Sequence, residues 1–297
     1  MQRVTGTVIQ ALNKGTLLYM LAVMMLAIMD ASAKWLSDDY SVFQIVLIRS
    51  FFSFLPILLL AIWNQKRQLN FLVSRERIFP HIVRGCLFAI TFGSFVWSLK
   101  WLPLAEATGI SLIGPILMVL FGGILLKETI GFQKWLAIAI GLTGVLLVFQ
   151  PGTGGPFFAK LLALLSAVSF ALVAISTRKL SSHDSSETIA FWTNTTLMTI
   201  GGVGVLFFSD WFAPSTGDLL VFLIMGLAGG IANILFVVAL RLSEVSLVAA
   251  LEYSIFIWAV LLGAVVFSEI PSINVWIGVG IIAVSGIYTT TRKTVAQ

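Results

Sequence analysis

Two stretches of this chain are versions of each other, and this repeat limits the possible folds more than any other feature. The first runs from Leu99 to Trp135, and the second runs from Leu240 to Trp276, 141 residues later. Glu128 in the first stretch matches Glu269 in the second, and nearly everything between the matched residues is apolar. The chain is therefore built from two related halves.

The composition requires a membrane. Hydrophobic residues make up 59% of the chain and charged residues 10%, whereas ordinary globular proteins carry about a quarter charged residues. The net charge of +5 does not indicate nucleic-acid binding, because the basic residues lie in short connections between apolar runs. Cys86 is the single cysteine, so an intramolecular disulfide is impossible and a cysteine-based metal site is not expected.

Ten apolar runs approach the ~20 residues that cross a bilayer as a helix. A backbone inside lipid must satisfy its own hydrogen bonds, so each run is predicted to be α-helical. We predict an all-α integral membrane protein with ten transmembrane helices. They are expected at residues 15–35, 43–63, 80–99, 104–126, 132–149, 157–177, 188–208, 219–240, 245–267 and 273–290.

The basic residues give the orientation. The termini and the connections on one side hold 13 Lys and Arg residues, and the opposite side holds 3. Positive charge collects on the cytoplasmic side, so we expect a multi-pass inner-membrane protein with both termini in the cytoplasm. A cleaved signal peptide ending at Ala31-Ser32-Ala33 is the competing interpretation. Its removal would leave nine helices and unbalance the halves.

The halves are expected to be residues 1–150 and 151–297, divided within the Gly- and Pro-rich segment 150–156. Five helices is an odd number, so the second half enters the membrane from the opposite side. The repeats would then be inverted, and exchanging their shapes would give alternating access. Gly226 and Gly230 have a spacing that serves either packing within the bundle or dimerisation. The sequence is compatible with either a monomer or a homodimer.

The pattern resembles the EamA-type drug/metabolite transporters. Gly-x5-Glu occurs at Gly122 and again at Gly263, and Pro115 lies in the middle of predicted helix 4. The segments MDASAKWL, FQIVLIRSFF and HIVRG resemble the subgroup with S-adenosylmethionine and riboflavin carriers. The resemblance implies a central cavity lined by predicted helices 1–4 and 6–9. Phe256 stands where the symmetry would place a second proline, so this feature is not assumed in the second half.

Charges inside a helix bundle are costly to bury, and a functional role is the default for them. Asp30 and Arg49 lie on predicted helices 1 and 2 at similar depth. They form either a structural ion pair or a substrate contact in the outer half of the cavity. Lys34 follows Asp30 by one turn and is expected to extend to the outer surface.

Glu252 is predicted to lie about 10 Å from the cytoplasmic end of helix 9. Its symmetry mate is Ser111, so the two halves differ in polarity here. Glu252 could bind a cationic or amine-bearing substrate, or take up a coupling proton. The alternative is a neutral structural carboxyl group that is hydrogen-bonded to a neighbouring helix.

Other candidates are weaker. Glu128 and Glu269 hold mirrored positions at the ends of helices 4 and 9, which suggests scaffold residues that fix the entry of helices 5 and 10. Pro115 frees a backbone carbonyl and kinks helix 4, which would shape the cavity. Candidates for the cavity wall are Trp97, Trp192, Asn194, Tyr253 and Trp258.

The sequence lacks a serine elbow, a nucleotide-binding loop and a metal-ligand spacing. We therefore expect no enzyme, no cofactor and no metal, but a carrier in the lipid bilayer that uses ion or substrate gradients. Its substrate would be a small polar metabolite; the aromatics suit riboflavin, and Glu252 suits S-adenosylmethionine. The alternatives are an exporter of amino acids, metabolites or drugs, a membrane enzyme acting on lipid or prenyl substrates, and a passive channel.

Overall fold

The computed structural model describes residues 2–63, 75–126, 132–149, 155–243 and 245–291. Every regular element in these ranges is an α-helix, which confirms the all-helical prediction for this part of the chain. The helices are α1 (Gln2–Ser37), α2 (Val42–Trp63), α3 (Arg75–Leu99), α4 (Leu104–Ser111), α5 (Gly114–Leu126), α6 (Phe132–Phe149), α7 (Phe157–Leu180), α8 (Ser186–Phe208), α9 (Thr216–Leu242), α10 (Val245–Glu252), α11 (Ile255–Phe267) and α12 (Ile273–Thr291).

Eight stretches in the described ranges are long and apolar enough to cross a bilayer. They correspond to α1, α2, α3, α7, α8 and α9, and to the pairs α4–α5 and α10–α11. Two shorter apolar stretches lie in α6 and α12, over Trp135–Phe149 and Ile273–Tyr288. The protein is therefore a multi-pass membrane protein.

Predicted helices 4 and 9 are each broken in two. The first break follows Ser111 and the second follows Glu252, so both short segments, α4 and α10, have 8 residues. Both long segments, α5 and α11, have 13 residues. Sequence reasoning expected such a distortion only where Pro115 occurs, and the break in the second half corrects that expectation.

Tighter turns occur at both breaks, and in the first the Ile113 N–H donates to the Ile110 carbonyl at 3.3 Å. The Ser254 N–H donates to the Leu251 carbonyl at 3.1 Å, and the Phe256 N–H donates to the Tyr253 carbonyl at 3.3 Å. These i→i−3 bonds are typical of a 3₁₀ turn, which satisfies backbone groups that a break would otherwise leave open. The Phe256 ring also packs edge-to-face on Trp276, with centroids 5.4 Å apart.

The packing keeps the same pattern when the two halves are exchanged. α1 packs along α9, and its counterpart α7 packs along α3. α2 contacts α9, just as α8 contacts α3. The pairs α2–α8 and α6–α12 each join one helix to its own counterpart. The repeat in the sequence is thus matched by a repeat in the helix contacts.

The glycines of α9 allow close contact with α2. A methyl group on Gly230 would lie 2.7 Å from the Ser53 carbonyl oxygen, and one on Gly226 would clash with Phe52. The Ser53 hydroxyl donates to the Gly226 carbonyl at 2.7 Å. This small-residue spacing therefore serves packing inside the bundle.

Candidate functional site

A cavity of about 90 Å³ lies among α1, α3, α4, α7, α10 and α11. This volume is below the range of about 300–1,000 Å³ that is usual for small-molecule sites. Most of the wall is aliphatic or phenylalanine, and the polar groups are two carboxyl groups and four hydroxyl groups. The lining residues are Leu26, Met29, Asp30, Phe88, Thr91, Phe92, Phe95, Thr108, Ser111, Leu112, Ser166, Ala167, Phe170, Glu252 and Ile255.

The two broken helices meet at this cavity. Ser111 is the last residue of α4 and Glu252 is the last residue of α10, and both line the wall. The carboxyl end of a helix carries partial negative charge and carbonyls without intrahelical partners. Two such ends at one cavity favour a ligand that carries a positive charge or hydrogen-bond donors.

The hydroxyl groups of α4 differ in their hydrogen bonding. Ser111 Oγ lies 3.0 Å from the Ala107 carbonyl oxygen, to which it donates, and 3.4 Å from that of Ala163 on α7. Thr108 Oγ1 is buried and has no hydrogen-bond partner within the described residues. A buried hydroxyl without a partner is costly, so Thr108 is a free donor and acceptor for a polar ligand.

Glu252 is 6% exposed and accepts a hydrogen bond from the hydroxyl of Tyr19, which is fully buried on α1. This is its only hydrogen bond to the described part of the chain. The neighbouring-helix partner required by a structural role is therefore present. The same carboxyl group also faces the cavity, so the predicted functional role keeps its geometric basis.

Asp30 and Arg49 do not form an ion pair, which was one of the two alternatives expected for them. Asp30 lines the cavity, but no nitrogen of Arg49 lies within 4 Å of its carboxylate in the described structure. The Arg49 guanidinium instead stacks on Phe92, 4.3 Å from the ring centroid, and lies 5.6 Å from that of Phe88.

The aromatic wall of the cavity consists of Phe88, Phe92, Phe95 and Phe170. Sequence reasoning missed all four. The signal was present, because Phe88, Phe92 and Phe95 recur at the spacing of one helix face, with Thr91 among them.

The residues predicted to line the wall lie elsewhere. Trp97 is 50% exposed on the outside of the bundle, and Trp258 is half-buried away from the cavity. Asn194 donates to the Ser50 carbonyl at 3.4 Å, which ties α8 to α2. Tyr253 packs against Gly286 of α12. These residues sit on helix faces that the sequence pattern could not distinguish.

Two further predicted residues are also placed away from the wall. Trp192 has its ring 6.2 Å from the His81 ring, at the other end of α3 from the phenylalanine wall. Pro115 is buried near the start of α5 but does not line the cavity. It follows the break between α4 and α5 as the second residue of α5.

Glu269 connects α1 and α4. Its Oε1 accepts from Lys34 Nζ at 2.6 Å, and its Oε2 accepts from the Leu104 N–H, the first of α4, at 2.9 Å. Lys34 Nζ also donates to the Leu102 carbonyl at 2.9 Å. Glu269 therefore contacts the start of α4, and its predicted role at the entry of α12 stays a prediction. Lys34 was expected to extend to the outer surface, but its side chain is 12% exposed and pairs with Glu269. Glu128 lies outside the described residues.

The second half repeats part of this contact. Arg178 occupies the position equivalent to Lys34, 144 residues later. It donates to the Ser243 carbonyl at 3.0 Å, and Ser243 is equivalent to Leu102. The basic residue that ends the first long helix of each half therefore binds the same carbonyl of the repeat.

A charged cluster at the other end of α3 was not predicted. The Asp184 carboxylate, in the turn between α7 and α8, accepts from Arg77 at 2.5 Å and lies 3.1 Å from His81 Nε2. Arg241 of α9 donates to the Asp184 carbonyl. Three elements are joined at this end of the bundle. The described residues contain no group of three His, Cys, Asp or Glu side chains that could hold a metal ion.

A family model described as the EamA-like transporter family matches residues 13–150 and residues 157–291. A solved crystal structure that is 20% identical covers 94% of this chain and 96% of its own, with a TM-score of 0.71. That likeness concerns the fold alone.

Three relatives have names that describe transport. The S-adenosylmethionine uptake transporter of Rickettsia prowazekii (strain Madrid E) is 24% identical over 254 residues, covering 85% of this chain and 84% of that protein. The riboflavin transporter of Rhizobium johnstonii is 26% identical over 208 residues, covering 70% of this chain and 68% of that protein. The pseudopaline exporter CntI of Pseudomonas aeruginosa (strain UCBPP-PA14) is 26% identical over 268 residues, covering 89% of this chain and 91% of that protein.

Proposed function

Because the chain belongs to the EamA-like transporter family, we propose that it is a secondary carrier of a small polar metabolite that works by alternating access. One observation carries this proposal. Two helices broken at equivalent positions end at the same cavity, at Ser111 and Glu252. Discontinuous helices at the interface of two repeats commonly form the substrate site of a secondary transporter.

The proposed topology has ten spans in two inverted halves, residues 1–150 and 151–297. The protein would lie in the inner membrane, with both termini in the cytoplasm. The eight long apolar stretches and the two shorter ones support a count of ten. Support for the repeat comes from helix contacts that persist when the halves are exchanged. The bias of 13 basic residues against 3 supports the orientation.

Reporter fusions test this topology. A reporter that is active only in the cytoplasm should be silent when fused after Gly154 and active when fused after Ser182. Segment 150–154 is outside the described residues, so the fusion tests the sequence prediction directly. Strong activity after Gly154 would overturn the span count or the orientation.

The relatives make S-adenosylmethionine and riboflavin the first substrates to test. The cavity chemistry suits both. Phenylalanine rings can stack on a flat heterocycle, and the carboxyl groups of Asp30 and Glu252 can receive a cationic group. Export is the second candidate, because the relative that covers 89% of this chain is named an exporter. The family and these names favour transport over a membrane enzyme.

Uptake into proteoliposomes tests the function. We expect saturable uptake of a radiolabelled substrate from a panel of S-adenosylmethionine, riboflavin and amino acids, and acceleration of that uptake by unlabelled substrate inside. Such exchange distinguishes a carrier from a channel. A pH gradient of either sign shows whether a proton is coupled and which direction is driven. Uptake that is linear with concentration and insensitive to internal substrate would contradict the proposal.

A further inference from the structure

Arg49 is a buried cation whose hydrogen-bonding capacity is largely unused. It lies on α2 and is 1% exposed, and neither its Nε nor its Nη1 has a hydrogen-bond partner within the described part of the chain. A buried charge is normally paired, because desolvation without a partner is expensive. The fold therefore keeps open donors at a place where open donors are costly.

The other buried arginine is fully engaged. Arg84 of α3 donates from Nε to Thr177 at 2.7 Å, from Nη1 to Thr193, and from Nη2 to Asn233 at 3.3 Å. These three partners come from α7, α8 and α9. The bundle can thus satisfy a buried guanidinium with neutral side chains, and it does not do so at Arg49.

Arg49 is separated from the cavity by one layer of side chains. Its guanidinium lies over the Phe92 ring, and both Phe92 and Phe88 line the cavity. On another side, a methyl group on Gly229 of α9 would lie 2.7 Å from Arg49 Nη2. Glycine at this position makes room for the guanidinium, while rotation of the Phe92 side chain would open Arg49 to a ligand.

Asp30 provides the complementary charge. It lines the cavity and makes no hydrogen bond or ion pair with any described residue. Its carboxylate oxygens lie more than 4 Å from the nitrogens of Arg49, so the two side chains do not satisfy each other. The unpaired acceptors of Asp30 therefore line the cavity, and the unpaired donors of Arg49 lie behind the phenylalanine rings of the same wall.

We propose that Asp30 and Arg49 bind a zwitterionic head group, the α-amino-acid moiety of a substrate, with the ammonium on Asp30 and the carboxylate on Arg49. This inference rests on the proposed carrier function and narrows its substrate class. Guanidinium and carboxylate match as a two-bond fork. A ligand with only one of the two charges would leave the other protein charge unpaired, so both are required.

A series of related probes tests each charge in turn. S-adenosylmethionine carries the whole head group, decarboxylated S-adenosylmethionine lacks the carboxylate, and 5′-methylthioadenosine lacks both charges of the head group. Binding to the purified full chain in nanodiscs is measured for each. We expect the wild type to prefer S-adenosylmethionine over its decarboxylated form by at least about 30-fold.

The protein variants assign the charges to residues. Arg49→Gln should reduce that preference to about threefold or less, and Arg49→Lys should retain part of it. Asp30→Asn should weaken both amine-bearing probes and leave 5′-methylthioadenosine unchanged. Arg84→Gln is the matched control, a buried arginine that should keep the wild-type preference. The thermal midpoint of each variant shows whether it is folded.

The outcomes separate this inference from the carrier function. The head-group site is wrong if the wild type binds the first two probes equally, or if it transports riboflavin and binds no zwitterion. Neither result would contradict the carrier function. An Arg49→Gln or Arg49→Lys protein that folds and keeps the full 30-fold preference also overturns the head-group site. Arg49-dependent binding without uptake of any probe would overturn the carrier function and leave the site.

Discussion

The two broken helices share their geometry and differ in their chemistry. α4–α5 and α10–α11 break after the same number of residues, although the first contains Pro115 and the second has Phe256 in its place. The comparison shows that the break belongs to the repeated fold and does not depend on proline. Proline favours such a break by removing one hydrogen bond, but an equivalent i→i−3 bond is present at both breaks, from Ile113 to Ile110 and from Ser254 to Leu251.

The residues that end the short segments also connect differently. Ser111 carries a neutral hydroxyl, which donates to the Ala107 carbonyl of its own helix and lies 3.4 Å from the Ala163 carbonyl of α7. Glu252 carries a carboxyl group, which accepts a hydrogen bond from the hydroxyl of Tyr19 on α1. Symmetric backbones thus carry an asymmetric pair of side chains. We expect the carboxyl group of Glu252, and not the hydroxyl group of Ser111, to bind the substrate or couple transport to protons.

Glu252→Gln is the strongest test of this asymmetry. The amide keeps the shape and loses the charge, so we expect gradient-driven uptake to fall at least about 30-fold, whereas Ser111→Ala should change it only about twofold. Uptake and exchange are both measured as a function of pH. A coupling residue would preserve exchange and lose its pH dependence, and a binding residue would lose exchange as well. Similar losses in both variants would show that the two breaks are equivalent after all.

A second test asks whether the charged residues of α1 and α2 also take part in transport, as we expect for Glu252 at the second break. Asp30→Ala and Arg49→Ala should each lower transport by about tenfold or more, because each removes a charge placed to meet substrate. The exchanged double variant, Asp30→Arg with Arg49→Asp, should not restore transport, since the two side chains make no direct ion pair. Transport and membrane protein level are measured together. Recovery of both would favour a structural pair.

The contact of Lys34 with Glu269 tests how the first short segment is held. Lys34→Met removes an ion pair and a bond to the Leu102 carbonyl. We expect a loss of about 1–3 kcal/mol in the free energy of unfolding, measured by thermal unfolding in detergent. The control is Lys100→Met at the same end of the bundle, where the described structure gives the lysine no hydrogen bond. Equal shifts in the two variants would remove the scaffold role.

The smallest expected effect on stability belongs to Pro115. If the fold itself sets the break, Pro115→Ala should keep transport within about threefold of the wild type and change stability by about 1 kcal/mol or less. Phe256→Ala should cost more, about 3 kcal/mol, because it deletes a buried ring that packs on Trp276. Thermal unfolding and uptake compare the two. A Pro115→Ala protein without transport would show that the two breaks have different origins.

Much of the architecture could be predicted before any contact was known. Apolar runs of about 20 residues, the matched stretches ending at Trp135 and Trp276, and the placement of Asp30 and Glu252 within helices all follow from local properties of the chain. Hydrophobic length specifies a span because every buried backbone group must bond within its own helix. That constraint acts residue by residue, so the sequence expresses it directly.

Tertiary structure decided which helix faces meet, and therefore the partner of each buried charge. In the folded protein Glu252 is hydrogen-bonded to Tyr19, Glu269 pairs with Lys34, and Arg49 packs on the phenylalanine rings of α3. Helices that are apolar on every side carry little periodic signal, so their sequence does not reveal which face turns inward. Only the packing of residues far apart in the chain determines that the cavity wall is Phe88 and Phe92 and not Trp97 or Trp258.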